Sequence, residues 1–237
     1  MKFVLAIVTL LIFVESPSSA QCEGDLSWNF DEDEKAGFSI GGFLSDTFTP
    51  QLIIDSKRIR DYVRDARFRE LTLRCGDHRA IDGIFLKSLR IADYNVSRGL
   101  FLSLMATLEH QNVDFKLPVV GGIHVPLTFE QDSLFNARKK NIPSKVYPDS
   151  PSTEEGDKDK LQHFFASAYL AYVSESPELA RQGGNFVEWG EAKFVVGGTD
   201  DPRDRRANKH GEAFGRDLLV VKTLLPSDYL QPPSDKE

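Results

Sequence analysis

DKLQHFFASAYLAY, residues 159–172, is the stretch on which the reading of this chain turns. Leu161, Phe165, Ala168 and Tyr172 recur at three- and four-residue intervals, the spacing of one face of a helix. Asp159 is a fair N-cap, and Gln162 three residues on completes a capping-box-like pair. His163 falls beside Ser167, one turn later, at the edge of the apolar stripe. A buried imidazole needs hydrogen-bond partners, so the helix opening asks where those partners come from.

Two later clusters are candidates. In NFVEWGEAKF, Glu188 and Glu191 stand three apart and share a helix side. Like-charge repulsion within such a pair raises one carboxyl pKa and suits acid–base work, and the same pair suits a cation. In GGTDDPRDRRANKHGEAFG, Asp200, Asp201 and Asp204 precede or open a helix carrying Ala207, Asn208, Gly211 and Gly215 on one side. Glycines four apart let another backbone come close. Arg203, Arg205 and Arg206 are read as partners of local acids, and His210, beside Lys209, as exposed.

In this order the clusters carry a resemblance. DKLQHF at 159–164, EWGE at 188–191 and DPRDRRANKHGEAFG at 201–215 resemble VanZ-like membrane proteins and related small bacterial envelope proteins. The resemblance covers about the last third of the chain. It implies an envelope setting rather than a reaction. The chain departs from the pattern in lacking the long apolar membrane helices.

Upstream, helical periods continue. SKRIRDYVRDARFREL, from Ser56, spaces Ile59, Tyr62, Val63 and Ala66 on one stripe. GDHRAIDGIFLKSLRIADY aligns Ile81, Ile84, Phe85, Leu89 and Ala92, and SRGLFLSLMATLEH is apolar almost all round, as in a buried helix. The period changes at Phe115. FKLPVVGGIHVPLTF reads as two β-like runs flanking a Gly121-Gly122 turn, with Pro118 and Pro126 confining it to edge pairing. EQDSLFNARKKN reads as a short helix. Residues 141–157, rich in Pro, Ser and acids, read as a connector running over the surface, and helices are expected over 159–173, 177–195 and 203–221. The expected fold is mainly α: a helical bundle-like domain over 56–230 with a small β-hairpin insertion, after an extended acidic and Gly-rich lead-in at 21–55.

The N-terminus has the form of a secretory signal peptide. Lys2 precedes a short apolar run, FVLAIVTLLIFV, and Ser18-Ser19-Ala20 places small residues before a cut after Ala20. The run is too short to span a bilayer, which takes about 20 residues, and no later segment approaches that length. The expected location is secreted or periplasmic, with no transmembrane segment after cleavage. The only two cysteines, Cys22 and Cys75, both follow the cut. In an oxidising compartment they can form one disulfide, closing a loop of about 50 residues and contributing about 3–4 kcal/mol on the chain-entropy model.

The formal net charge is −7, from 29 basic and 36 acidic residues. That balance does not point to nucleic acid or an anionic membrane surface. No Gly-x-Ser-x-Gly elbow, His-Glu-x-x-His, Walker loop or dinucleotide fingerprint is present. His78, His110 and His124 have no supporting context. Two readings follow. In one, Asp159, His163, Glu188, Glu191, Asp204 and Asn208 form a buried polar network that sets helix register in an envelope-associated structural or interaction protein, whose partner is an envelope component or another protein. In the other, His163, Glu188 and Glu191 ligate a divalent metal or act as acid and base in a hydrolase, with Asp204 and Asn208 as further candidates for the catalytic set. One imidazole and two carboxylates suit a transition metal.

Overall fold

The computed structural model describes residues 51–117, 121–126, 128, 130–175 and 201–230, with the backbone alone over 112–117 and 121–126. The protein is mainly α-helical. Among the described residues the helices are α1 (Gln51–Arg64), α2 (Ala66–Cys75), α3 (Asp77–Ile91), α4 (Val96–Thr107), α5 (Asp132–Asn141), α6 (Lys158–Glu175), α7 (Pro202–Asp217) and the single turn α8 (Ser227–Leu230). The expected leader, the lead-in as far as residue 50 and the 177–195 helix lie outside the described residues, as do Cys22, Glu188 and Glu191.

Helix α1 starts at Gln51 rather than Ser56, and it stops sooner than its apolar period suggests. Asp65 is extended (φ −62°, ψ 141°) and its carboxylate accepts the Arg67 amide, capping α2. The break rotates the stripe. Ala66 becomes the first residue of α2 and is exposed, while Phe68 and Leu71 enter the core in its place. Asn95 caps α4 in the same way, by accepting from Arg98 N. Asp201 caps α7, with Pro202 at the first helical position, where a missing N–H costs nothing.

The hairpin insertion, with Gly121-Gly122 as its turn, is not supported. A turn on the two glycines would set position 118 opposite 125, putting Pro118, which has no donor, inside the ladder. The backbone instead pairs β1 (Asn112–Leu117) antiparallel with β2 (Gly121–Pro126), so that Gly121 and Gly122 are ladder positions opposite Leu117 and Lys116. This strand pair is no layer of the helical body.

The core is continuous from Ile59 to Leu230. The α3 stripe is buried as its period requires: Ile81, Ile84, Phe85, Leu89 and Ala92 all face inward. Helix α6 packs against α7 on one side and α4 on another. The Phe164 ring stacks on Phe214 (centroids 5.4 Å apart, 23° between planes), and Phe85 meets Phe214 edge-on at 5.2 Å.

Residues 142–157 are not a surface-running connector. Ile142, Val146 and Tyr147 are core residues. The N-terminus of α3 clamps this strap: Asp77 Oδ2 accepts the amides of Ser144 (2.7 Å) and Lys145 (2.6 Å), and His78 Nε2 donates to the Val146 carbonyl (2.9 Å). The strap then closes on itself, Asp157 N donating to Ser144 O at 2.8 Å. Gly156 (φ +51°) sits so close to Ser144 that a Cβ would lie 2.4 Å from its carbonyl oxygen, and only glycine fits.

Candidate functional site

The site is built on how closely α6 and α7 approach. A Cβ on Gly211 would lie 2.2 Å from the Phe164 carbonyl oxygen, and one on Gly215 would lie 2.2 Å from that of Ala168. The four-residue glycine spacing therefore does what it suggests: it lets the α7 backbone rest on the α6 backbone. Polar side chains along the seam are pressed together by that contact.

At the mouth of the seam, Lys160 reaches from α6 into three carboxylates. Its Nζ donates to Asp204 Oδ1 (2.6 Å), Asp159 Oδ2 (2.7 Å) and Asp201 Oδ2 (3.1 Å). The lysine side chain is only 6% exposed, whereas Asp159 and Asp201 keep 37% and 35% exposure. Burial alone would lower the Lys160 pKa, but hydrogen bonds from Asp159, Asp204 and Asp201 outweigh it and hold the ammonium well above its ordinary range. Asp201 is held below the usual carboxylate range, first by the Arg203 amide it caps and then by Lys160. Its place at the N-terminus of α7 favours the same charge. Three carboxylates against one ammonium leave negative charge over. The half-open positions of Asp159 and Asp201 pass it to water.

One turn deeper, His163 Nε2 lies 3.6 Å from Asp204 Oδ1, and its buried Nδ1 has no hydrogen-bond partner. One turn further, Ser167 Oγ donates to Asn208 Oδ1 at 3.0 Å. The sequence-predicted residues Asp159, His163, Asp204 and Asn208 thus share one seam, but Asn208 serves Ser167 rather than His163. Asp159 lies in the first turn of α6 rather than at its N-cap, because the helix begins at Lys158. Gln162 turns away from a capping box, its Oε1 accepting from Glu109 N at 3.4 Å. Among the described residues, no group of three or more His, Cys, Asp or Glu side chains is arranged to hold a metal ion.

The opposite face of α7 meets the strap. Arg203 pairs with Asp157, which also accepts from Ser150 Oγ. Arg206 donates to Asp149 Oδ1 at 2.6 Å and sits over the Tyr147 ring, its Cζ 4.2 Å from the centroid. These acids are remote in sequence, not local as the run of charges suggests. His210 is half-buried rather than exposed. Its ring stands edge-on to Tyr147 at 5.6 Å, and its pKa is lowered first by burial and then by Arg206 and Lys209. Five buried polar atoms on this side lack partners: Tyr147 Oη, Asp157 Oδ1, Arg203 Nε, Arg206 Nε and His210 Nδ1.

A further buried charge cluster escapes sequence reading. Arg138, from α5, is fully buried. It donates to Glu130 Oε2 (2.8 Å) and to the carbonyls of Ala106 (2.9 Å) and Leu108 (2.8 Å). Arg64 also bonds Glu130, and Arg60 bonds Thr128. Burial pushes the Glu130 carboxyl up, but Arg138 and its two fellow arginines bring the net pKa below the usual range. The only signal was an arginine on the apolar side of a short helix. Its α4 partners are main-chain carbonyls, which no sequence pattern marks.

Cys75 is not a free thiol, and its expected partner Cys22 lies outside the described residues. No helix among the described residues is long and apolar enough to cross a membrane. Neither a family model, nor a curated protein, nor a solved structure matches the chain.

Proposed function

We propose that this chain is an exported, envelope-associated protein with a structural or interaction role. Its 56–230 helical domain presents a fixed surface to an envelope component or another protein. The Lys160 cluster serves as a lock on α6–α7 register rather than as a reaction centre. The observation that carries this reading is the Lys160 ammonium seated among Asp159, Asp201 and Asp204. A cation already sits where a divalent metal would draw on the same carboxylates. An amine held charged at neutral pH is neither nucleophile nor base. The 1–20 segment supports export, and the resemblance of DKLQHF, EWGE and DPRDRRANKHGEAFG to VanZ-like proteins supports an envelope setting.

Two measurements test the reading. N-terminal sequencing of the protein recovered outside the cytoplasm is expected to begin at Gln21. Elemental analysis of protein purified without chelator is expected to find no stoichiometric divalent metal. Intact Met1 on a cytoplasmic protein would overturn the export half. About one equivalent of bound metal, lost in His163→Ala, would overturn the structural half in favour of metal-dependent chemistry.

A further inference from the structure

His210 joins two pieces of the fold that are far apart in sequence. It projects from α7. Its ring stands edge-on to Tyr147 of the strap. Nδ1 is buried without a partner, so a hydrogen placed there would be an unsatisfied buried donor; the neutral ring keeps its hydrogen on Nε2 and leaves Nδ1 as the bare acceptor nitrogen. The charged and titratable groups facing the ring are Arg206 and Lys209 on α7 and Tyr147 on the strap. Arg206 in turn holds Asp149, and Tyr229 Oη donates to Asp217 Oδ2 at 2.6 Å. No carboxylate is hydrogen-bonded to the imidazole.

We propose that His210 is a proton-operated catch for the strap. On protonation its Nδ1 becomes a buried donor without an acceptor, beside the Arg206 and Lys209 charges, and the strap around Tyr147 comes away from α7.

Neutral, the ring costs little: a bare acceptor nitrogen against an aromatic edge. Protonated, it places a third positive charge beside two others in a place where water does not reach Nδ1. Burial and those two cations push the pKa of His210 below its ordinary value, so the folded state resists the proton and an opened strap accepts it. The strap is the piece that yields. It is held to α7 through the Arg203–Asp157 and Arg206–Asp149 side-chain pairs, while its backbone bonds run within the strap: Ser150 N to Tyr147 O at 3.0 Å, Tyr147 N to Ser150 Oγ at 2.9 Å and Asp157 N to Ser144 O at 2.8 Å. The partnerless Tyr147 hydroxyl, Asp157 Oδ1 and the two arginine Nε atoms gain water when it opens. The far end of the strap is anchored independently by Asp77 and His78, so opening is confined to the side facing α7. The inference stands apart from the export reading.

Amide hydrogen exchange on the full-length protein, corrected for the intrinsic pH dependence of exchange, tests it. Protection of the Tyr147, Ser150 and Asp157 amides is expected to fall as pH drops below about 6.5. A single proton limits the fall to about tenfold per pH unit. Protection of α3 and α4 amides stays level over the same range. In His210→Gln, which retains an amide donor but takes up no proton, the strap amides are expected to lose this response. Strap protection independent of pH, or an unchanged fall in the glutamine variant, overturns the proposal. Should the variant not fold, a ring-proton titration of His210 in the unaltered protein decides. A midpoint below that of an exposed histidine and shared by the strap amides sustains the catch. A midpoint at or above it, or one the strap amides do not share, overturns it.

Discussion

Helix α7 has two polar faces, and they are built on opposite terms. Toward α6, two glycines bring backbones into contact, the Lys160 amine has three acceptors, and Ser167 meets Asn208. Toward the strap, Arg203 and Arg206 find acids, yet five buried polar atoms go without partners. A buried network with its members paired specifies one packing, while one left half-satisfied lowers the cost of opening. The α6 face is thus expected to hold register and the strap face to yield. His163 is the exception on the first face, since its Nδ1 is partnerless too.

The largest effect should come from the backbone contact. Gly211→Ala sets a methyl 2.2 Å from the Phe164 carbonyl oxygen, and neither backbone can give without separating the helices. A loss of about 3 kcal/mol in urea unfolding is expected, against about 0.5 kcal/mol or less for Glu212→Ala on the exposed side. Equal effects would end the claim that α6 and α7 are locked. Lys160→Met comes next. Removing the ammonium leaves the half-buried Asp204 beside two further carboxylates, for a loss of about 2 kcal/mol once the screening of the half-open Asp159 and Asp201 is allowed for. Adding Asp204→Asn to Lys160→Met should recover part of that loss, and a double-mutant cycle reads the coupling. Ser167→Ala is expected to cost about 1 kcal/mol by orphaning Asn208 Oδ1.

The strap face predicts smaller changes, one of them of opposite sign. The folded pKa of His210 is depressed, so its contribution is present in full above the ordinary histidine value of about 6.5 and is lost as pH falls through the folded value. Thermal melts between pH 7.5 and 5 should show that loss, and His210→Gln should shrink it. Tyr147→Phe removes a buried hydroxyl that has no partner, so stability should hold or rise slightly rather than fall. A loss of more than about 1 kcal/mol would show that the hydroxyl is bonded after all and would erase the contrast between the two faces.

Much of the helical body was legible in the sequence. The α3 stripe, the buried character of α4 and the extent of α6 to within two residues follow from apolar period, because a helix must turn its apolar residues to one side, whereas α7 ends at Asp217 rather than at the expected 221. The helix start at Asp201 is legible for the same local reason: a short polar side chain satisfies an open amide two residues on. The strap was misread because composition speaks for solvent exposure. Pro, Ser and acids dominate it, yet three apolar residues and the Asp77 and His78 clamps decide its place.

The sequence by itself determined a mainly helical chain and brought Asp159, His163, Asp204 and Asn208 onto paired helix faces, since period, caps and glycine spacing act within a few residues. Only the tertiary structure decided what those side chains meet. Lys160, which stands with Asp159 and His163 at the helix opening, became the centre of the cluster. Arg203 and Arg206 found acids 46 and 57 residues away, and Arg138 became fully buried. A buried charge takes whichever opposite charge or carbonyl the packed backbone brings within reach, and that is set by how helices cross rather than by which residues adjoin.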